Sequence, residues 1–147
     1  MNRATLPVNV GPVARLLMVA GKIQLAAEII DHDHLRPAKI TPGLTVDYGR
    51  YVANACTGCH GPNFSGGKIP AGPPDWPPAA NLTPHPSGHL AKWSEADFLN
   101  LLRTGKRPDG TAVNAVMPRA FGQLNEVEQK SLWLFLKSLP SVATSDR

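Results

Sequence analysis

The chain has 147 residues, a formal net charge of +4 and a hydrophobic fraction of 42%, which suits one domain with its own core. Its basic residues are scattered and no aromatic platform is interleaved with them, which argues against a nucleic-acid-binding protein. Aromatic residues make up only 6% of the chain, and 15 Pro and 13 Gly leave limited room for regular structure. A bulky non-protein group would therefore help to fill the interior.

The first 44 residues contain one clear helical pattern. A helix is predicted from Val13 to Ala20, with Pro12 in its first turn, and a weaker candidate follows at residues 28–35. His32 and His34 lie among acidic residues in that second candidate, and we interpret them as a solvated surface pair rather than a metal site.

The same region lacks the features of a membrane-spanning segment or a secretory leader. A span needs about 20 mostly apolar residues, but Arg15, Lys22 and Glu28 interrupt residues 13–30. Arg15 also breaks the apolar run that a signal peptide would require. We therefore expect neither a membrane span nor a usable leader in this chain.

Helices and long loops alternate over the rest of the chain. A helix is predicted over residues 45–55, with Thr45 as its N-cap. Residues 61–87 contain eight prolines and are predicted to form a long loop, of a length that is usually functional or wraps something. A capped helix follows at 94–104, and the last helix begins at Asn125 and stops before Pro140. No strand alternation is visible, so the predicted fold class is all-α.

The helix predicted over residues 45–55 runs into the sequence Cys56-Thr57-Gly58-Cys59-His60, which is the C-x-x-C-H pattern of haem attachment. Two thiols on one helical turn can each form a thioether with one of the two haem vinyl groups, and His60 then lies under the iron. A dithiol redox pair would usually follow a strand, which is not predicted here. A zinc site would need two further ligands, for which His85 and His89 are weak candidates.

A sixth iron ligand has four candidates, namely Met117, Met18, His85 and His89. Met117 is favoured because it lies in a loop directly before Pro118, whose ring stiffens the backbone. The order of elements also suits it, since the methionine loop lies between the middle helix and the closing helix.

These features resemble the class I cytochrome c family over residues 45–139. The resemblance depends on the attachment motif with Gly61, on Met117-Pro118 and on the apolar closing helix around residues 132–136. It implies a cytochrome c fold of three to five helices, with long Pro/Gly-rich loops around one covalently bound haem c. The domain would span residues 45–140, preceded by an extension or connector (1–44) that packs on it and followed by a flexible tail (141–147).

The resemblance also implies roles for individual residues. Cys56 and Cys59 would form the thioethers, and His60 and Met117 would be the axial iron ligands. Gly49 would let its helix approach the helix of Trp133 and Phe135 closely. A backbone carbonyl near residues 70–74 would accept the second ring N–H of His60. The implied function is one-electron transfer, with no substrate chemistry of its own.

A narrower likeness lies in Asn81-Leu82-Thr83-Pro84 followed by Trp93-Ser94. It resembles the cytochrome subunits that accept electrons from membrane-bound bacterial alcohol, aldehyde and nicotinate-type dehydrogenases. Residues 12–17 resemble a connector between haem domains of such chains. The expected partners are a dehydrogenase, a quinol oxidoreductase or a terminal oxidase, and the expected location is the periplasm.

We therefore expect the C-terminal haem domain of a longer exported protein, in which Leu16, Leu17, Val19 and Ile23 cover an apolar face. The alternative is a complete monohaem carrier whose leader has been removed. A rival function is a haem enzyme or gas sensor of peroxidase-like type. It would need an open sixth site and a distal acid or base, such as His85 or His89.

Overall fold

The computed structural model describes residues 10–23, 28, 39–70 and 72–146, and the chain divides into two compact units, Met1–Ala38 and Lys39–Arg147. In the first unit, helix α1 spans Pro12–Val19. Its proline stands in the first turn, where a missing N–H is tolerated, and its bounds agree with the prediction to within one residue. The second helical candidate, with His32 and His34, lies outside the described residues apart from residue 28. The packing of residues 1–44 on the domain stays a prediction.

The second unit is helical. Its α-helices are α2 (Val46–Ala53), α3 (Thr57–His60), α4 (Glu95–Thr104) and α5 (Glu126–Ser138), and its 3-10 turns are Asn54–Cys56, His89–Ala91 and Arg119–Gln123. Extended pairing among the described residues is limited to the isolated bridges Gly67–Ala79 and Lys106–Ala112. The predicted all-α class is confirmed. At 13 residues, α5 is the longest helix in the described part of the chain, and no helix there reaches the length of a membrane span.

Side-chain caps fix where three of these helices begin. The hydroxyl oxygen of Thr45 accepts a hydrogen bond from the Tyr48 backbone N–H at 3.2 Å. Ser94 with Asp97, and Asn125 with Glu128, form complete capping boxes in which each side chain bonds the other residue's backbone N–H. These caps satisfy N–H groups that have no partner inside the helix. The predicted starts at 45, 94 and 125 are therefore confirmed.

The predicted helix over residues 45–55 changes character near its end. It is α-helical to Ala53 and then tightens into the 3-10 turn Asn54–Cys56, from which α3 continues. Such tightening is common in the last turn of a helix. Here it occurs where the chain enters the cysteine motif.

The core lies where α2 and α4 meet α5. Gly49 lies against Ser131 and Phe135 of α5, so the close approach expected for this glycine is confirmed. The Phe64 ring packs edge-on against Phe135, with centroids 5.4 Å apart, and Phe98 packs against Trp133 at 5.5 Å. This aromatic and aliphatic cluster forms a wall behind the cysteine motif.

Candidate functional site

The C-x-x-C-H motif lies on one compact turn. Cys56 ends the 3-10 turn after α2, and Cys59 and His60 belong to α3. Gly61 ends α3 with a φ of +81°, a backbone conformation that suits glycine. Cys56, Cys59 and His60 are all half-buried, and all three line one cavity.

This cavity has a volume of about 440 Å³, within the range of about 300–1,000 Å³ typical of cofactor and ligand pockets. Its walls are mostly apolar and come from the cysteine turn, from α4 and α5, and from the loops that precede these two helices. The aliphatic and aromatic side chains that line it include Leu82, Phe98, Leu101, Leu102, Leu132 and Leu136. Because the cavity penetrates the hydrophobic core, a group that fills it would become part of that core.

The imidazole of His60 is held by a backbone carbonyl. Its Nδ1 lies 2.7 Å from the carbonyl oxygen of Ala80, and because a carbonyl can only accept, Nδ1 carries the proton. The lone pair of the neutral imidazole is then on Nε2, which is the nitrogen that could bind a metal. The resemblance to class I cytochromes c implies an acceptor near residues 70–74, and this prediction is wrong, since the acceptor is Ala80. The bridge between Gly67 and Ala79 folds the loop back, so that residue 80 returns beside His60.

Met117 reaches the same cavity from another loop. Its backbone N–H donates to the carbonyl of Asn114 at 3.0 Å, and the Asn114 side-chain oxygen accepts from the Val116 N–H at 2.9 Å. This is a turn that an asparagine side chain supports. Pro118 then starts the 3-10 turn Arg119–Gln123. The side chain of Met117 is packed against the core between these two turns.

The other candidates for sixth ligand have different surroundings. His89 lines the cavity, and its ring stacks on Trp93 with centroids 5.1 Å apart. His85 does not line it; its Nδ1 lies 2.8 Å from the Ser87 hydroxyl and 3.1 Å from the Ser87 backbone nitrogen. Met18 belongs to the other compact unit. Of the two histidines, His89 is the one that the fold brings to the cavity.

The environment of Cys56 is apolar. Burial, and secondly the neighbouring Cys59, raises the pKa of the Cys56 thiol to about 11, because desolvation disfavours the thiolate. At physiological pH the thiol is therefore neutral.

Residues near the C-terminus also meet this site. The sequence predicts a flexible tail at 141–147, whereas the structure has the carbonyl of Val142 accepting from the Asn81 side chain at 2.8 Å. Thr144 lines the cavity. Sequence reasoning did not find these contacts. The available signal was the polar pair Asn81 and Thr83, which is buried in the fold although it lies in a proline-rich loop.

Two thiols on one turn, an imidazole with its Nδ1 proton fixed and a thioether on a facing loop converge on one apolar cavity, and this donor set fits haem c. The family model described as cytochrome c matches residues 46–140. The chain therefore belongs to the cytochrome c family. It is a class I c-type cytochrome, an electron-transfer protein whose cofactor is one covalently attached haem c.

Similar proteins include much longer chains. One subunit of the nicotinate dehydrogenase of Pseudomonas putida is 33% identical over 141 residues, which is 85% of this chain and 11% of that protein. The cytochrome c subunit of the quinone alcohol dehydrogenase of Gluconacetobacter polyoxogenes is 28% identical over 69% of this chain and 24% of its own length. The corresponding subunit of Gluconobacter oxydans is 32% identical over 59% and 20%. The chain thus spans a quarter or less of the relatives it matches.

Proposed function

We propose that this chain carries single electrons between a dehydrogenase or quinol oxidoreductase and a downstream acceptor, through haem c bound to Cys56 and Cys59 and ligated by His60 and Met117. The observation that carries this proposal is the arrangement of these four side chains. They come from a single turn and from a separate loop, and they line one apolar cavity.

Each residue has a distinct role in this proposal. The two cysteine sulfurs anchor the cofactor, which supplies a one-electron redox couple when bound. His60 provides Nε2 because its Nδ1 proton is engaged by Ala80. Met117 provides a thioether, which favours ferrous iron and raises the potential relative to a second histidine. Because His60 and Met117 would both serve to hold the iron, the chain would leave no iron ligand position for a substrate.

The partner surface follows from the exposure of the cysteine turn. Gly58 is exposed, while Cys59 beside it is half-buried, so the cysteine turn brings one edge of the site near the solvent. A redox partner that docks on this face needs only a small, short-lived interface, below about 1,200 Å². The names of the relatives support a dehydrogenase as the donor.

The proposed location is the periplasm, an oxidising compartment in which two neighbouring thiols would otherwise be at risk of pairing. Fractionation of the producing cells, followed by haem staining of the denatured proteins, tests this proposal. Staining at the mass of this protein in the periplasmic or membrane fraction is expected. Staining confined to the cytoplasmic fraction would overturn the location.

The rival function, a haem enzyme or gas sensor, has one observation in its favour, since His89 lines the cavity. Carbon monoxide separates the two functions. The carrier should be reduced by ascorbate, retain its haem in acidified organic solvent and give the same ferrous spectrum with and without carbon monoxide. A ready spectral change with carbon monoxide, or peroxidase turnover, would overturn the carrier proposal in favour of an open sixth site.

A further inference from the structure

Residues 142–145, which we call the C-terminal strap, cross the loop that carries Ala80. The carbonyl oxygen of Val142 accepts from Asn81 Nδ2 at 2.8 Å, and the Val142 N–H donates to the hydroxyl oxygen of Thr83 at 3.3 Å. Farther along, the Ser145 N–H donates to the carbonyl of Ser65 at 3.3 Å. The strap is thus bonded both to the loop after Ala80 and to the loop after His60.

Asn81 and Thr83 are buried polar residues, with 3% and 0% of their surfaces exposed. The Asn81 side-chain oxygen accepts from the Thr83 N–H at 2.8 Å and lies 2.7 Å from the Thr83 hydroxyl. That leaves the Asn81 amide N–H groups to find acceptors, and Val142 of the strap provides the shortest of these bonds. Buried amides require such partners, so the strap completes the bonding that fixes the orientation of Asn81.

The orientation of Asn81 bears directly on Ala80. The Ala80 carbonyl and the Asn81 nitrogen belong to one planar peptide unit, so a fixed Asn81 fixes the direction in which this carbonyl points. Gly66 closes the other side, where a Cβ would come 2.6 Å from the Ala80 carbonyl oxygen. The acceptor of the His60 Nδ1 proton is therefore held between Gly66 and a residue that the strap anchors.

We infer that the C-terminal strap is a positioning element for His60, acting through Asn81 and Thr83 on the Ala80 carbonyl. The inference rests on the proposed role of His60 as an axial ligand. A close hydrogen bond at Nδ1 makes the imidazole more basic, and a more basic ligand favours ferric iron and lowers the potential. A displaced strap loosens this bond and raises the midpoint potential.

The experiment compares four variants of the haem-loaded chain. Thr83→Val removes the hydroxyl that receives the strap, and Asn81→Ala removes the amide that holds Val142. Thr83→Ser keeps the hydroxyl and serves as the conservative variant. Leu99→Ala is the control for lost stability, because Leu99 is buried in the core and does not line the cavity.

The readouts are the midpoint potential and the exchange rate of the His60 Nδ1 proton, followed by NMR in the ferrous protein. Thr83→Val and Asn81→Ala should shift the midpoint potential upward and speed the exchange of the Nδ1 proton several-fold. Thr83→Ser should keep the potential and the exchange rate of the wild type. Leu99→Ala should lower the melting temperature without moving either. If Asn81→Ala does not mature, the comparison between Thr83→Val and Thr83→Ser decides.

Unchanged potentials and exchange rates in both Thr83→Val and Asn81→Ala would overturn the inference. They would mean that the Gly67–Ala79 bridge, together with the Leu82 N–H donating to the Phe64 carbonyl at 2.8 Å, holds Ala80 without the strap. Failure of the proposed function would be seen in the wild-type chain, and it can therefore be distinguished from failure of this inference. A wild-type chain without covalent haem, or with a spectrum that excludes histidine ligation, removes the basis of the inference before any variant is made.

Discussion

Gly49 of α2 lies directly against the backbone of Ser131 in α5, where a Cβ would come 1.9 Å from the Ser131 carbonyl oxygen. No side chain fits at that distance without moving one helix off the other. Gly49→Ala should therefore destabilise the fold by about 3 kcal/mol or more, at or above the upper end of the usual cost of overpacking. The yield of haem-loaded protein should fall with it. The measurement is denaturant unfolding of the oxidised protein.

The matched control for that variant is Gly58→Ala. A Cβ on Gly58 meets nothing within 4 Å, and alanine favours a helical position over glycine by about 1 kcal/mol. This variant should be neutral or slightly stabilising. Equal losses of stability in both variants would contradict the close contact between α2 and α5.

Replacement of Met117 tests the sixth ligand. Met117→Ala should abolish the weak near-infrared sulfur-to-iron band of the oxidised protein, lower the potential and allow carbon monoxide to bind, because the thioether is removed from the cavity. Met18→Ala is the matched control and should leave all three readouts unchanged. A spectrum that Met117→Ala does not alter would refute Met117 as the ligand and direct attention to His89, which lines the same cavity.

The chain made without haem attachment should be largely unfolded. Without the cofactor, the apolar walls of the cavity would face water instead of being buried, and buried apolar surface is the main source of a domain's stability. A typical domain has only about 5–15 kcal/mol of stability in total, so this loss should be enough to unfold it. Circular dichroism of chain produced without the attachment machinery measures this effect. A helical apo-protein that melts cooperatively is the outcome that contradicts it.

The capping box of α4 gives a prediction for pH dependence. Asp97 accepts hydrogen bonds from the Ser94 hydroxyl at 2.7 Å and from the Ser94 N–H at 2.9 Å, and these bonds hold the pKa of Asp97 below its ordinary value. A carboxyl group whose pKa is lowered by folding stabilises the protein above its unfolded pKa. This contribution is lost as the pH falls through the folded pKa.

Asp97→Asn should therefore have a lower free energy of unfolding than the wild type at neutral pH. In denaturant unfolding at a series of pH values, the difference in this free energy should shrink as the pH falls below about 4. Ser94→Ala should cost about 1 kcal/mol at neutral pH, as is usual for an N-cap residue. Asp75→Asn, in the proline-rich loop, is the control. A difference between Asp97→Asn and the wild type that is constant from pH 7 to pH 3 would show that the carboxylate does not act through this cap.

The features that the sequence predicted well depend on neighbours a few positions apart. Ser94 with Asp97, and Asn125 with Glu128, mark helix starts because a side chain and the backbone three residues away form the cap. The cysteine motif is equally local. Met117 could be singled out only by the order of elements and by Pro118, and its contact with the cavity depends on how the loop folds.

The features that the sequence did not predict depend on long-range pairing. Which carbonyl meets His60 is decided by the return of the loop, and that return uses positive φ angles at Gly66 (71°) and Gly67 (99°). Many glycines could adopt such angles, so the acceptor was placed near residues 70–74 instead of at Ala80. The strap was missed because a short polar segment after a proline carries no pattern that marks its partner.

The bridge between Gly67 and Ala79 also separates the proline-rich loop into a neck and a lobe. Each of these residues donates its backbone N–H to the other's carbonyl, at 2.9 and 2.8 Å. The lobe, residues 68–78, is therefore closed at its base by this bridge before the chain reaches Ala80. Residues inserted between the two would lengthen the lobe without changing the path from His60 to Ala80. Doubling the length of a flexible loop costs only about 0.6 kcal/mol. The exposed tip of the lobe, residues 73–76, does not line the cavity, whereas Ile69, Pro77 and Pro78 of the lobe do. An epitope tag or a binding peptide is therefore best spliced into this electron carrier at that tip, where it does not interrupt the lining of the haem site.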